Sequence, residues 1–276
     1  MTAQMPPNDR ASQRDSDLLP AEANAEPHAP QGDSDLLSAK ANARSYERRR
    51  IYLMRHGSVT YFDTSGKPFL PEQVPLNALG RAQATAAGKV FALENVRFDR
   101  VIVSGLPRTV ETAACVLAET GQQIEPEHWP ELEELRGGKL ALIPDHALED
   151  AFVGAFEGVV AENKQFLGGE SIGQLLDRVY PGIDKLRADP SWDTALLVLH
   201  GGVNRAILSY ALTGQRLFLG NLAQTAGCIN ALDVGTKQND WVVRIVNYSP
   251  PSRLQGETRA TTMERLLNQY RKFRGM

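Results

Sequence analysis

From Ile51 onward the chain alternates between short apolar runs and longer segments whose apolar residues recur every three or four positions. Short apolar runs bounded by glycine, proline or charge read as buried strands; the wider spacing reads as amphipathic helix. Strands are therefore predicted at 51–55, 100–104, near 122–125, 195–200, 227–233 and 241–247. Helices are predicted at 77–93, 107–120, 145–162, 171–188 and 202–213. The 171–188 helix opens with Ser171 and carries Gln174 three residues on, a capping-box arrangement, and Pro190 closes it. Mostly apolar strands alternating with helices imply an α/β chain with a mainly parallel sheet covered on both faces, a three-layer αβα sandwich.

Both ends depart from this pattern. Residues 1–46 form an acidic stretch rich in Ala, Asp, Ser and Pro with few large apolar side chains, and the expectation is disorder. It holds a near repeat: Asp15-Ser16-Asp17-Leu18-Leu19 with Ala21-Glu22-Ala23-Asn24-Ala25 recurs as Asp33-Ser34-Asp35-Leu36-Leu37 with Ala39-Lys40-Ala41-Asn42-Ala43. Two copies are too few for a solenoid, which needs at least three stacked units. The paired leucines leave room for a protein partner that docks on the tail. At the other end, residues 255–276 set Arg and Lys around Met263, Leu266, Leu267 and Tyr270, a basic amphipathic helix expected to dock on the domain.

Charge and cysteine content narrow the class. A net charge of −3 gives no general pull toward nucleic acid or an anionic membrane. No apolar run approaches the roughly 20 residues that span a bilayer, and the first twenty residues lack the apolar core of a secretory signal. Cys115 and Cys228 show neither metal nor disulfide spacing and read as free core thiols, which fits a reducing, cytoplasmic compartment.

The chemistry gathers at three strand ends. The 51–55 strand runs into Arg55-His56-Gly57, which places a bidentate oxyanion ligand, a titratable imidazole and a flexible backbone where open α/β sheets bind ligands. Beyond Ser104, Pro107 suits the first turn of a helix and sets Arg108 beside free backbone N–H groups that attract anions. The strand at 195–200 leads into His200-Gly201-Gly202. Two arginines and two histidines on one sheet edge meet one requirement, the holding of a dianionic phosphoryl group.

In these segments the chain resembles the histidine phosphatase superfamily, also called phosphoglycerate mutase-like. Leu53-Met54-Arg55-His56-Gly57 matches its nucleophile motif, and Leu76-Asn77-Ala78-Leu79-Gly80-Arg81-Ala82-Gln83-Ala84 resembles its first-helix signature. Ser104 to Ala113 is similar to Ser-x-Leu-x-Arg-x-x-x-Thr-Ala, and Leu132-Glu133-Glu134 with Gly138 to Leu-x-Glu-x-x-x-Gly. Phe156-Glu157-Gly158, Gly168-Gly169-Glu170-Ser171 and Leu199-His200-Gly201-Gly202 complete the ordered set. The resemblance implies a catalytic domain over 47–254 built on a mainly parallel, Rossmann-like mixed sheet, with 139–167 as a cap insertion. It implies His56 as nucleophile through a phosphohistidine, His200 as catalytic partner that also grips the phosphoryl oxygens, and Arg55, Arg108 and Gly201 as phosphate ligands, with Ser58 added as a candidate from this chain's own sequence. Glu134 is the implied general acid, with Glu131 and Glu133 open as alternatives. Neither metal nor cofactor is called for, and the implied partner is a small phosphorylated substrate, with no nucleic acid and no membrane.

Two departures from the family pattern matter. Phe62 stands where a phosphate-binding asparagine is usual, leaving the Ser58 and Thr60 hydroxyls as replacements and Tyr61, Phe62 and Phe69 as an apolar wall. The mutase motif Leu-Asn-Glu-x-x-Tyr-Gly has no counterpart, since the chain reads Leu135-Arg136-Gly137-Gly138-Lys139. Hydrolysis of a phosphomonoester is therefore favoured over mutase-type transfer. A weakly catalytic phospho-ligand binding protein is the third reading, and retention of His56 argues against it. His128 and His146 read as surface or lid residues.

Overall fold

The computed structural model describes residues 48–252 and 259–276, so the expectations for the acidic tail and its repeat lie outside the described residues. Its centre is β1 (Arg49–Arg55), whose Ile51, Leu53 and Met54 are fully buried. β1 pairs in parallel with β5 (Thr194–Leu199) on one side. On the other it pairs antiparallel with β7 (Ile229–Val234). β2 (Arg100–Val103) and β3 (Glu127–His128) extend the parallel half, and β8 (Trp241–Tyr248) closes the antiparallel edge, giving the order β3-β2-β5-β1-β7-β8.

Helices cover both faces. α1 (Ala78–Leu93) and α2 (Pro107–Thr120) bury Ala87, Phe91 and Val116 against Met54, Val103 and Val198. α4 (Ile172–Ala188) and α5 (Gly201–Thr213) bury Leu175, Leu176, Val203 and Ile207 against Leu53, Leu197 and Leu232 on the opposite face. The strand residues alternate between these two cores because successive side chains of a strand point to opposite faces. The result is the mainly parallel three-layer αβα sandwich expected from the pattern. Among the described residues no helix is long and apolar enough to cross a membrane. Cys115 and Cys228 are free thiols, the second fully buried.

Two element expectations need correction. The strand expected near 122–125 forms instead at Glu127–His128, because Pro126 has no N–H to donate and pairing begins only after it. The Gln122 side chain is also engaged elsewhere, accepting from Phe98 N at 2.8 Å. The helix expected over 145–162 is reduced to α3 (Leu148–Val153) between 3₁₀ turns. The helical run continues as a 3₁₀ turn over Gly154–Phe156 and ends before Gly158, whose φ is 57°; β4 (Val159–Val160) then pairs with β6 (Phe218–Leu219).

A third, smaller core joins the segment around α3 to the C-terminal helix. Ile143, Leu148 and Phe152 pack there with Leu267 and Tyr270 of α6 (Thr262–Phe273), and Phe62 joins them. α6 begins at Thr262 because Thr261 and Glu264 form a reciprocal capping box. Arg271 to Glu149 (3.1 Å) and Arg274 to Asp145 (2.6 Å) tie it to the segment around α3.

Candidate active site

Register brings the site together. Arg55 lies opposite Leu199 across the parallel β1–β5 pair, so His56 and His200, the next residues of each strand, emerge side by side. Their rings are 5.2 Å apart at 64°. Val103 lies opposite Val198, which sets Ser104 next to that pair, and its Oγ lies 2.8 Å from His200 Nε2. All four charged or titratable groups are removed from solvent: Arg55 is 9% exposed, His56 2%, Arg108 2% and His200 0%.

His56 Nδ1 sits 2.7 Å from Gly57 O. A carbonyl only accepts, so Nδ1 carries the proton and Nε2 presents a lone pair. Burial, then the Arg108 and Arg55 guanidiniums, push the His56 pKa well below the ordinary imidazole value, against a small raising effect from Gly57. His200 is lowered well below its ordinary value too, by burial first and then by Arg108, His56 and the other nearby arginines. Both effects favour the neutral ring.

The two arginines are held by backbone and left open on one edge. Arg55 Nη1 donates to Gln224 O, and Arg108 Nη1 to Pro71 O at 2.6 Å. Arg55 Nε, Arg108 Nε and His200 Nδ1 are buried with no hydrogen-bond partner. Neither guanidinium has a carboxylate partner among the described residues. Buried charge without a counterion is expensive, and an incoming anion would relieve that cost. Thr112 links the parts: its hydroxyl donates to Arg108 O at 2.7 Å and accepts from Gly57 N at 3.0 Å.

Glu134 joins from a loop. Gly202 N donates to its Oε1 and Oε2 at 3.0 and 3.1 Å, and Leu135 N to Oε1 at 3.0 Å, so the carboxylate rests on the N-terminus of α5. A Cβ on Gly202 would stand 2.5 Å from Glu134 Oε1, so only glycine admits this approach. The neighbouring acids turn away, Glu133 to Arg136 at 3.3 Å and Glu131 to Lys185 at 3.8 Å. Arg178 fixes the loop by donating to the carbonyls of Glu131, Glu133 and Glu134 while Glu170 pairs with it at 2.7 Å. The motif that opens α4 therefore serves the loop that carries Glu134.

Gly201 starts α5 with its Cα facing Arg55, where a Cβ would meet Arg55 Nε at 3.5 Å. Ser58 lies just beyond Gly57, but its hydroxyl and that of Thr60 accept from Asn77 Nδ2 at 3.4 and 3.3 Å. Of the aromatic wall, Phe62 packs into the third core and Phe69 is 49% exposed. His128 and His146 are exposed. Among the described residues no cluster of three His, Cys, Asp or Glu side chains is placed to hold a metal ion.

Thr112 reads in the sequence as a helix residue whose motif fits support of Arg108, and it bonds to Arg108 O. Three other contributors were missed by sequence reasoning. Ser104 lies inside a quoted motif, and its place there gave the only hint. Gln224 and Arg205 carried none. Gln224 belongs to a buried amide network, its Oε1 accepting from Asn204 and Asn230 at 2.9 and 3.0 Å. Arg205 donates to Gly201 O at 3.0 Å, and burial with the nearby Arg55 lowers its pKa to about 10.

Comparison with known proteins decides the family. The family model of the histidine phosphatase superfamily (branch 1) matches residues 51–248. The chain belongs to that superfamily. This histidine phosphatase is 29% identical over 187 residues to the adenosylcobalamin/alpha-ribazole phosphatase of Salmonella typhimurium, covering 67% of this chain and 90% of that one. It is 28% identical to the 2,3-bisphosphoglycerate-dependent phosphoglycerate mutase of Rhizobium etli, covering 57% and 77%. The native structure of mycobacterial glucosyl-3-phosphoglycerate phosphatase superposes with a TM-score of 0.54 at 26% identity, over 72% of this chain and 99% of that one. The mycobacterial hydrolase 1 structure shares the fold at a TM-score of 0.59 and 23% identity, over 73% and 99%. Phosphomonoester hydrolysis is the activity these relations support.

Proposed function

We propose that this histidine phosphatase hydrolyses small phosphorylated metabolites through a phosphohistidine on His56. The observation that carries the reading is a buried imidazole, its Nδ1 held by Gly57 O, at one strand end with two buried guanidiniums whose Nε atoms have no partner. His56 Nε2 attacks phosphorus and the phosphorus–oxygen ester bond breaks. Glu134, protonated at that moment, gives its proton to the leaving oxygen. Water then yields a proton to the Glu134 carboxylate and attacks phosphorus. The phosphorus–nitrogen bond breaks, and inorganic phosphate leaves with His56 neutral again.

The side chains match the charge of this path. Arg55 and Arg108 grip the non-bridging oxygens with N–H pairs, His200 Nδ1 faces them, and the α5 N-terminus at Gly201 adds backbone N–H groups. A small substrate accords with the relatives named for alpha-ribazole and for glucosyl-3-phosphoglycerate, both phosphatases of small molecules.

The test is phosphate release from a panel of phosphometabolites in the presence of chelator, with His56→Ala in parallel. Turnover by the wild type and none by the variant is expected. Equal turnover by both on every substrate would overturn the nucleophile assignment. Interconversion of phosphoglycerates with little phosphate release would replace hydrolysis by transfer.

A further inference from the structure

The C-terminal helix reaches the phosphate pocket through one hydroxyl. Arg55 Nη1 donates to Thr262 Oγ1 at 3.1 Å, from a residue 207 positions away. Nη1 carries two hydrogens, and the other goes to Gln224 O. Both are therefore committed, and the guanidinium cannot rotate about its plane. What remains is Nε and Nη2, the side-on pair that an oxyanion accepts in bidentate fashion. Nε is buried and has no partner.

We infer that Thr262 is a positioning residue: it locks the Arg55 guanidinium so that its Nε–Nη2 edge faces the phosphoryl group. This rests on the phosphatase reading and adds α6 to the site. The helix is well placed for the task. Thr262 follows the capping residue Thr261, so the first turn is fixed by the capping box. Leu267 and Tyr270 anchor its far half against Phe152, whose ring stacks on Tyr270 at 5.8 Å. The segment around α3 thus holds α6, and α6 holds Arg55. A neutral hydroxyl suits the position because it accepts the N–H without cancelling the charge that the phosphoryl group requires; an acid there would neutralise Arg55.

Thr262→Val keeps the shape and removes the acceptor, Thr262→Ser keeps the acceptor, and Thr262→Ala removes it at a helix position where alanine is the best former. The Val and Ala variants are expected to lose kcat/KM by about tenfold, the worth of a hydrogen bond to a charged group. Inhibition by orthovanadate, which occupies the phosphoryl position, should weaken by a similar factor. Thr262→Ser should restore both, and thermal unfolding of the Ala variant should match the wild type. Wild-type kcat/KM and vanadate inhibition in the Ala variant would overturn the inference, as would failure of Ser to rescue. His56→Ala in the same series separates the two claims: an active His56→Ala protein refutes the phosphatase mechanism, whereas a dead one beside unaffected Thr262 variants refutes only the role of Thr262.

Discussion

Gly202→Ala tests the general-acid assignment without touching Glu134. The new Cβ would lie 2.5 Å from Glu134 Oε1 and 2.9 Å from Leu135 Cδ1. Ordinary contact begins near 3.4 Å, so the carboxylate must retreat by about 0.9 Å, and the Leu135 side chain must turn. Helix α5 itself tolerates the change, since alanine in a helix is favoured over glycine by about 1 kcal/mol. A displacement of about 1 Å at a reacting group costs on the order of 10²-fold in rate. The loss should depend on the leaving group. An alkyl phosphate needs the proton from Glu134, so its kcat/KM, which reports only the steps through phosphorylation of His56 and not the water attack that Glu134 also serves, should fall by about 10²-fold. A nitrophenyl phosphate departs as a stable phenolate and should lose less than about tenfold. Steady-state kinetics on the two substrates, with circular dichroism to confirm the fold, gives the comparison. Equal losses on both substrates, or none on either, would refute the claim that Glu134 donates the proton.

Other consequences follow from the buried charges and the third core. Both histidines have folded-state pKa values below the ordinary imidazole value, so the unfolded chain binds two protons that the folded chain does not. Stability is thus whole above about pH 6.5 and falls as pH drops below it, with a slope approaching about 2.7 kcal/mol per pH unit for two such groups; urea melts between pH 7.5 and 5.5 should show it, and a flat profile would contradict it. Arg108→Gln should leave the free protein at least as stable, because a buried unpaired cation is removed. Inorganic phosphate should then raise the melting temperature of the wild type only, and a phosphate-stabilised variant would refute the role of Arg108. Phe152→Ala should cost about 3–5 kcal/mol where it acts, read as faster amide exchange across α6 with little change in β1; uniform acceleration would show that the third core is not a separable unit.

Much of this was legible in the chain. The apolar runs at 51–55 and 195–200 marked the central strands because residues buried on both faces leave no polar positions to blur the signal. The same runs ended on Arg55, His56 and His200, so the chemistry could be placed on one edge before any register was known. Around α3 the pattern misled: the sequence over 145–162 has helical spacing, yet Gly158 adopts a left-handed backbone and the following residues pair as β4. Thr262 and Gln224 were invisible because contacts with Arg55 across 207 and 169 positions leave no local pattern. Asn77 shows a subtler limit: it reads as a helix cap, which it is, while its amide nitrogen also donates to the Ser58 and Thr60 hydroxyls, a contact with no local pattern in the chain.

The central claim is the covalent bond at His56, and one measurement reaches it directly. The enzyme is mixed with excess labelled substrate, quenched in alkali within a turnover, digested and mapped by mass spectrometry. A phosphoryl group on the peptide that holds His56, stable in alkali, lost in acid and missing from His56→Ala, is the predicted result. Rapid turnover with no phosphopeptide at any quench time, or label on a different residue, would contradict it.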